Sequence, residues 1–172
     1  MGSTERASTV DSSAERTEVA ESTDPRPLAG YGVLLGTYGL GASLATWCLR
    51  NRRTRLSSLG ARRLILLALA TQHLSRLIAK DSITAPLRAP FTRFIESAGE
   101  GELNEAVVGI GLRHAIGELV SCPYCIGQWV ASGLVAGMVA VPEAAEAFAT
   151  ICALARVSDY LQLAYDRLKS NG

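Results

Sequence analysis

Aromatic residues make up only 6% of this 172-residue chain, too few for a large aqueous core, while 16 glycines and many alanines suit helices that pack closely in lipid. Charge of one sign is also missing: the net charge is +1, which leaves no basic footprint for nucleic acid. The four cysteines do not form a secreted disulfide framework, because Cys48 and Cys152 stand alone in apolar runs. Absent too are a catalytic Ser-His-Asp set, a phosphate loop, paired carboxylates and any cofactor fingerprint. What is plentiful is apolar. Hydrophobic residues reach 48% and the mean hydropathy is +0.20, high for a chain in which 19% of residues are charged.

The charged and apolar residues are segregated along the chain. Residues 1–27 are rich in Ser, Thr, Glu and Ala and hold almost no large apolar side chains, which predicts a disordered, mildly acidic tail. It lacks the basic n-region of a signal peptide. Leu28 to Leu49 then runs without charge for about 22 residues, enough to cross a hydrocarbon core, and predicts an N-terminal transmembrane helix. Arg50, Arg52, Arg53, Arg55, Arg62 and Arg63 follow; the positive-inside rule reads them as a cytoplasmic topology anchor.

In residues 62–80 the apolar run Leu64 to Ala70 gives way to Gln72, His73, Arg76 and Lys80, which recur on one helix face. Such a helix spans only if that face meets other helices; otherwise it lies in the interface with its cations snorkelling. Asp81 to Arg88 reads as a turn-like exit, with Pro86 and Pro90 against one continuous helix. Residues 91–101 read as a short amphipathic piece ending in the breaker run Gly99-Glu-Gly101. Leu103 to Val120 reads as a helix carrying Arg113, His114 and Glu118. Ile126 to Val141 is uncharged, Pro142 and Glu143 make a tight connection, and the last helix covers residues 144–165. That helix holds Arg156 and Asp159 at i, i+3, close enough to pair; an internal ion pair is the first reading and a proton- or substrate-handling site the second.

Cys122-Pro-Tyr-Cys125 stands at the mouth of the uncharged stretch, followed by Trp129 as an interfacial anchor. Three readings stay open for the two thiols. As a redox pair they would profit from a helix N-terminus, whose dipole favours thiolate. As a metal site they are an incomplete set, two ligands of the four that closed zinc requires, with His73, His114 or a second subunit to supply the rest. The third reading is structural. Known membrane thiol oxidases pass electrons through a second cysteine pair, which Cys48 and Cys152 do not offer.

Three stretches together, Leu67-Ala-Leu-Ala-Thr-Gln-His-Leu-Ser-Arg-Leu-Ile, Asp81-Ser-Ile-Thr-Ala-Pro-Leu-Arg88 and Glu118-Leu-Val-Ser-Cys-Pro-Tyr-Cys-Ile-Gly-Gln-Trp129, resemble a bacterial membrane family. It is catalogued as domain-of-unknown-function family 1360. Val157-Ser-Asp-Tyr-Leu-Gln162 is similar to the ending of its actinobacterial members. The resemblance covers roughly residues 62–165 and departs at His73, where the family commonly shows Arg. It implies a membrane protein, with sporulation-associated members, and no assigned chemistry.

These readings combine into an all-α integral membrane bundle of three to four spans plus an interfacial or partly inserted amphipathic helix. Residues 50–172 form its membrane domain, in a bacterial cell membrane. The lipid bilayer is its expected environment, and a second copy or an envelope protein its expected partner. The expected function is a non-enzymatic envelope or assembly component. The alternatives are a thiol-disulfide oxidoreductase using Cys122 and Cys125 and, more weakly, a metal-binding membrane protein. Further candidate residues are His73, Arg76, Asp81, Arg88, Trp129, Arg156 and Asp159.

Overall fold

A computed structural model of the chain describes residues 27–50, 60–99 and 101–170. The expected acidic tail, apart from Pro27, lies outside the described residues, as do Arg52, Arg53 and Arg55. The chain is mostly helical, as its periodicities predict, with one β-hairpin inserted near its middle.

Helix α1, Leu28–Leu49, coincides with the charge-free stretch. Apolar residues cover every face of it, yet only Gly30 is buried, and Leu35 and Leu40 are 73% and 75% exposed. Among the described residues it is the single helix long and apolar enough to cross a membrane alone. Helix α2, Ala61–Lys80, is amphipathic and buries Leu67, Ala70, Ser75 and Ala79. Lys80 in its last turn complements the helix dipole. The chain then turns through a 3-10 segment, Ser82–Thr84, started by the Asp81 carboxylate accepting the Ile83 N–H, and a one-turn helix α3, Ala85–Arg88.

Strands β1, Thr92–Gly99, and β2, Glu102–Val107, pair antiparallel, with Thr92 opposite Val107 and Gly99 opposite Glu102. Gly99 and Gly101 hold φ of 86° and 82°, so the expected breaker run is the hairpin turn. The expectation of a helix from Leu103 to Val120 is corrected here. Residues 103–107 are strand, and Gly109 and Gly111, with φ of 96° and 59°, interrupt the chain before helix α4, Gly111–Ser121. α4 then docks on the base of the hairpin. A Cβ at Gly117 would lie 2.5 Å from Val107 Cγ1 and 2.9 Å from the Phe91 carbonyl oxygen.

Helix α5, Pro123–Ala140, leaves α4 at a bend of 80°, and the two together are long and apolar enough for one broken span or a re-entrant segment. Helix α6, Pro142–Ser170, is 29 residues long and starts on a proline, tolerated in a first turn because that N–H has no helical partner. α2, α5 and α6 share the core of Leu67, Ala70, Leu134, Met138, Ala149 and Cys152. Side-chain pairings fix their directions. Gly127 of α5 sits 3.7 Å, as measured from an added Cβ, from Ser75 of α2, whose N-terminal Arg63 reaches Glu146 of α6 at 2.9 Å. Arg156 of α6 donates to Gln72 of α2. α2 and α6 therefore run parallel, with α5 antiparallel to both.

α1 runs alongside α5. Gly30 abuts Gly111 and Ala115 of α4, and Tyr38 forms an edge-to-face contact with Trp129, centroids 5.2 Å apart. The Tyr38 hydroxyl also meets Ser132 Oγ at 2.8 Å and accepts from Gln128 at 2.8 Å. Two ends result. One carries Arg50, Arg63 and Glu146; the other carries the hairpin, Arg88 and the Cys122–Cys125 elbow.

Candidate functional site

The hairpin end is organised around Arg88. Its residue is 0% exposed, and its guanidinium donates four hydrogen bonds. Nε donates to Glu105 Oε2 at 2.6 Å, Nη1 to the Ile78 carbonyl and to Thr84 Oγ1, both at 2.7 Å, and Nη2 to the Asp81 carbonyl at 3.0 Å. The last carbonyls of a helix have no backbone partner, so Arg88 with Thr84 closes the C-terminus of α2 from the side. Thr84 Oγ1 adds contacts to the carbonyls of Leu77 and, at 3.0 Å, Asp81. One side chain thereby joins α2, the 3-10 turn and β2.

In front of this clamp lies a polar cleft of about 480 Å³ between the end of α2, the start of β2 and α6. Its wall includes His73, Arg76, Asp81, Glu102, Arg156 and Asp159. Arg76 pairs with Glu102. Arg156 donates to Gln72 and, at 3.2 Å, to Asp159 Oδ2, with its guanidinium carbon 4.5 Å from the Tyr160 ring centroid. His73 Nδ1 stands 3.9 Å from the same Asp159 oxygen, beyond hydrogen-bond range. Gln162 and Asp166 extend the wall along α6. The cleft carries both signs of charge, each cation paired with a carboxylate.

The thiols sit at the elbow. Cys122 ends α4 in an extended conformation and is the N-cap of α5, with Pro123 presetting the first turn. Its sulfur accepts the Cys125 backbone N–H at 3.4 Å and the Cys125 thiol at 2.8 Å. Burial raises the Cys122 thiol. Hydrogen bonds from the Cys125 thiol and from the backbone at Cys125 and Tyr124, together with the positive charge of Lys80, outweigh that and leave it below its ordinary value. With the Cys125 thiol donating to it, Cys122 is the better nucleophile of the two. Tyr124 between them is 92% exposed. Nearby, Glu118 accepts from Tyr31 of α1 and lies 3.4 Å from His114 Nε2.

Five residues singled out in the sequence, His73, Arg76, Asp81, Arg156 and Asp159, thus line one cleft, and Arg88 lies behind it. Trp129 packs on Tyr38 instead, and the thiols occupy the separate elbow. His114 and His73 do not complete a metal site: among the described residues no group of three or more Cys, His, Asp or Glu side chains converges to hold an ion. Cys152 is buried in the core and Cys48 is exposed on α1, so neither extends the thiol pair. Sequence reasoning missed Glu102 and Glu105, the carboxylates that neutralise Arg76 and Arg88. Glu102-Leu-Asn-Glu-Ala-Val107 shows no strict alternation to mark a strand, and all of it but Glu102 lies inside what reads as a helix.

The family model described as Protein of unknown function (DUF1360) matches residues 66–165, and the chain belongs to that family. The match takes in the clamp, the elbow and the cleft apart from Asp166, and leaves α1 outside. The chain is also similar to Sporulation protein YjcA of Bacillus subtilis (strain 168), 35% identical over 102 residues that make up 58% of this chain and 86% of that protein. No solved structure matches.

Proposed function

We propose that this chain is a multi-pass membrane protein in which α1, α2, α5 and α6 each cross the bilayer, serving the cell envelope as a non-enzymatic assembly component. The name of its relative favours a role in sporulation. The observation that carries this reading is α1, apolar all round and uncovered, lying beside helices of matching length. Helices of 20 and 18 residues, α2 and α5, rise about 30 and 27 Å, close to the thickness of a hydrocarbon core. Arg76, Arg156 and Asp159, charges that would be costly in lipid, turn into the cleft and find partners there. With four crossings, the six arginines between positions 50 and 63 favour the cytoplasm for their end and the outer side for the elbow.

Labelling with a membrane-impermeant maleimide tests the arrangement. The pair Cys122 and Cys125 should react in intact cells after mild reduction. A Gly60→Cys variant lacking Cys48, Cys122 and Cys125 should react only once cells are permeabilised. Labelling of both positions only after permeabilisation would sink the four-span reading in favour of three.

A second reading rests on the 2.8 Å separation of the thiols at a helix N-terminus. The Cys122 thiolate can attack a partner protein's disulfide, releasing one partner thiolate. Cys125 then loses its proton and attacks the mixed disulfide, releasing the second, so the partner leaves as a dithiol and a Cys122–Cys125 bond remains. A Cys122→Ser, Cys125→Ser chain that reaches normal membrane levels and supports the full phenotype would exclude this exchange.

A further inference from the structure

We propose that a dithiol donor from outside the chain returns the elbow's disulfide to its reduced form by attacking the Cys125 sulfur; this rests on the thiol-exchange reading above. That exchange leaves a Cys122–Cys125 bond, and each further turnover needs two electrons. The chain's other cysteines are too far away to deliver them, since a disulfide bond forms only at about 2 Å between sulfurs. Cys152 shares the core with Leu134 and Met138, which lie about 14 and 20 Å along α5 from Cys125 at 1.5 Å per residue. Cys48 lies about 26 Å along α1 from Tyr31, the residue that meets Glu118 one turn before the elbow. With all four cysteines of the sequence placed, the thiols that recharge the pair belong to another molecule.

Exposure selects the sulfur that is attacked. Cys125 is the exposed member of the pair, and Tyr124 before it is 92% exposed, so the approach is open. Departure favours the same choice. Attack on Cys125 expels Cys122, and the better stabilised thiolate leaves faster. The Cys125 N–H reaches the Cys122 sulfur at 3.4 Å, a backbone contact that does not depend on the Cys125 proton. The positive charge of Lys80 favours the Cys122 thiolate as well. The incoming thiolate bonds to Cys125 while the Cys122–Cys125 bond breaks, its electron pair leaving on Cys122.

One thiol on the donor is not enough. The two sulfurs stand 2.8 Å apart in the reduced pair, so the freed Cys122 thiolate is placed to attack the mixed disulfide, expel a donor with a single thiol and restore the old bond. A second thiol tethered to the same donor competes at a high effective concentration, which a separate molecule does not reach. It loses its proton to solvent, attacks its own neighbour's sulfur in the mixed disulfide and expels the Cys125 thiolate. The donor leaves as a disulfide, oxidised by two electrons, and both cysteines of the elbow take up protons from water.

The full chain in mild detergent is oxidised at the pair with glutathione disulfide, then treated with glutathione or, at equal thiol concentration, with dithiothreitol. Samples quenched early with acid are mapped by mass spectrometry. Of the chains that carry glutathione, the large majority should hold it on Cys125. Dithiothreitol should restore both thiols about tenfold faster than glutathione, or more. Glutathione chiefly on Cys122 or shared equally, equal rates from the two reductants, or a disulfide within one chain from the elbow to Cys48 or Cys152 overturns the proposal. A chain that glutathione disulfide leaves without a Cys122–Cys125 bond refutes the exchange reading itself.

Discussion

Replacing Arg88 by Met removes the charge of a pair whose side chains are 1% and 7% exposed and leaves Glu105 buried without its cation. Breaking one partner of a buried pair costs about 3–5 kcal/mol, because the remaining charge keeps its desolvation penalty and loses its compensation. The carbonyls of Ile78 and Asp81 lose donors as well, at about 1–3 kcal/mol for each that stays dry. Against a total stability of roughly 5–15 kcal/mol, the variant should be close to unfolding. Glu105→Leu should fall in the same 3–5 kcal/mol range, through an unpaired Arg88. The double variant is the informative one. With both charges gone it should be no less stable than Arg88→Met alone, giving a coupling energy of about 3 kcal/mol rather than additivity. The assay is SDS titration of the chain in mild detergent, followed by far-ultraviolet circular dichroism. Single variants within about 1 kcal/mol of wild type, or an additive double, would refute the clamp.

Gly117→Ala should destabilise by about 1–3 kcal/mol in the same titration, since its Cβ would meet Val107 Cγ1 at 2.5 Å, whereas Gly127→Ala, with an ordinary 3.7 Å contact, should be neutral or stabilising by up to about 1 kcal/mol. Alkylation by iodoacetamide, mapped by mass spectrometry, should modify Cys122 before Cys125 at neutral pH, because hydrogen bonds hold the first thiol below its ordinary value while the second is engaged as their donor. Equal rates, or Cys125 reacting first, would contradict the hydrogen-bond geometry at the elbow. Asp159→Asn should cost no more than about 1 kcal/mol, since Asp159 is 44% exposed and Arg156 keeps Gln72 and the Tyr160 ring; a larger loss would mean that the ion pair dominates the α2–α6 contact.

Much of the helical framework was legible in the sequence because its signals are local. A run without charge delimits α1 to its terminal residues, and Pro123 marks the first turn of α5, whereas Pro142 and Glu143, which read as a connection, belong to α6, and that helix runs on past residue 165 to Ser170. The cleft residues were legible for a different reason: His73, Arg76, Arg156 and Asp159 interrupt apolar surroundings, where an ionic side chain is costly unless it has a task or a partner. The partners were not legible. Glu102 and Glu105 reach Arg76 and Arg88 only through the hairpin, whose strands are too short and too mixed in composition to separate from helix by periodicity. Gly117 was also silent, since only the meeting of α4 with Val107 and Phe91 reveals why it has no side chain.

The Arg156–Gln72 bond joins residues 84 positions apart, and that distance is also an interval of time. At 5–20 residues per second, ribosomes supply Arg156 and Asp159 about 4 to 17 s after the polar face of α2 has been made. During that interval Gln72 and His73 have no counterpart, although Arg76 meets Glu102 within 26 residues and Arg88 meets Glu105 within 17. The hairpin clamp can therefore mature while the chain is still being made, whereas the finished face of α2 must await the last helix. Until then α2 is an amphipathic segment in need of shelter, at the lipid surface or against the insertion machinery, and truncating the chain before Arg156 should leave it there.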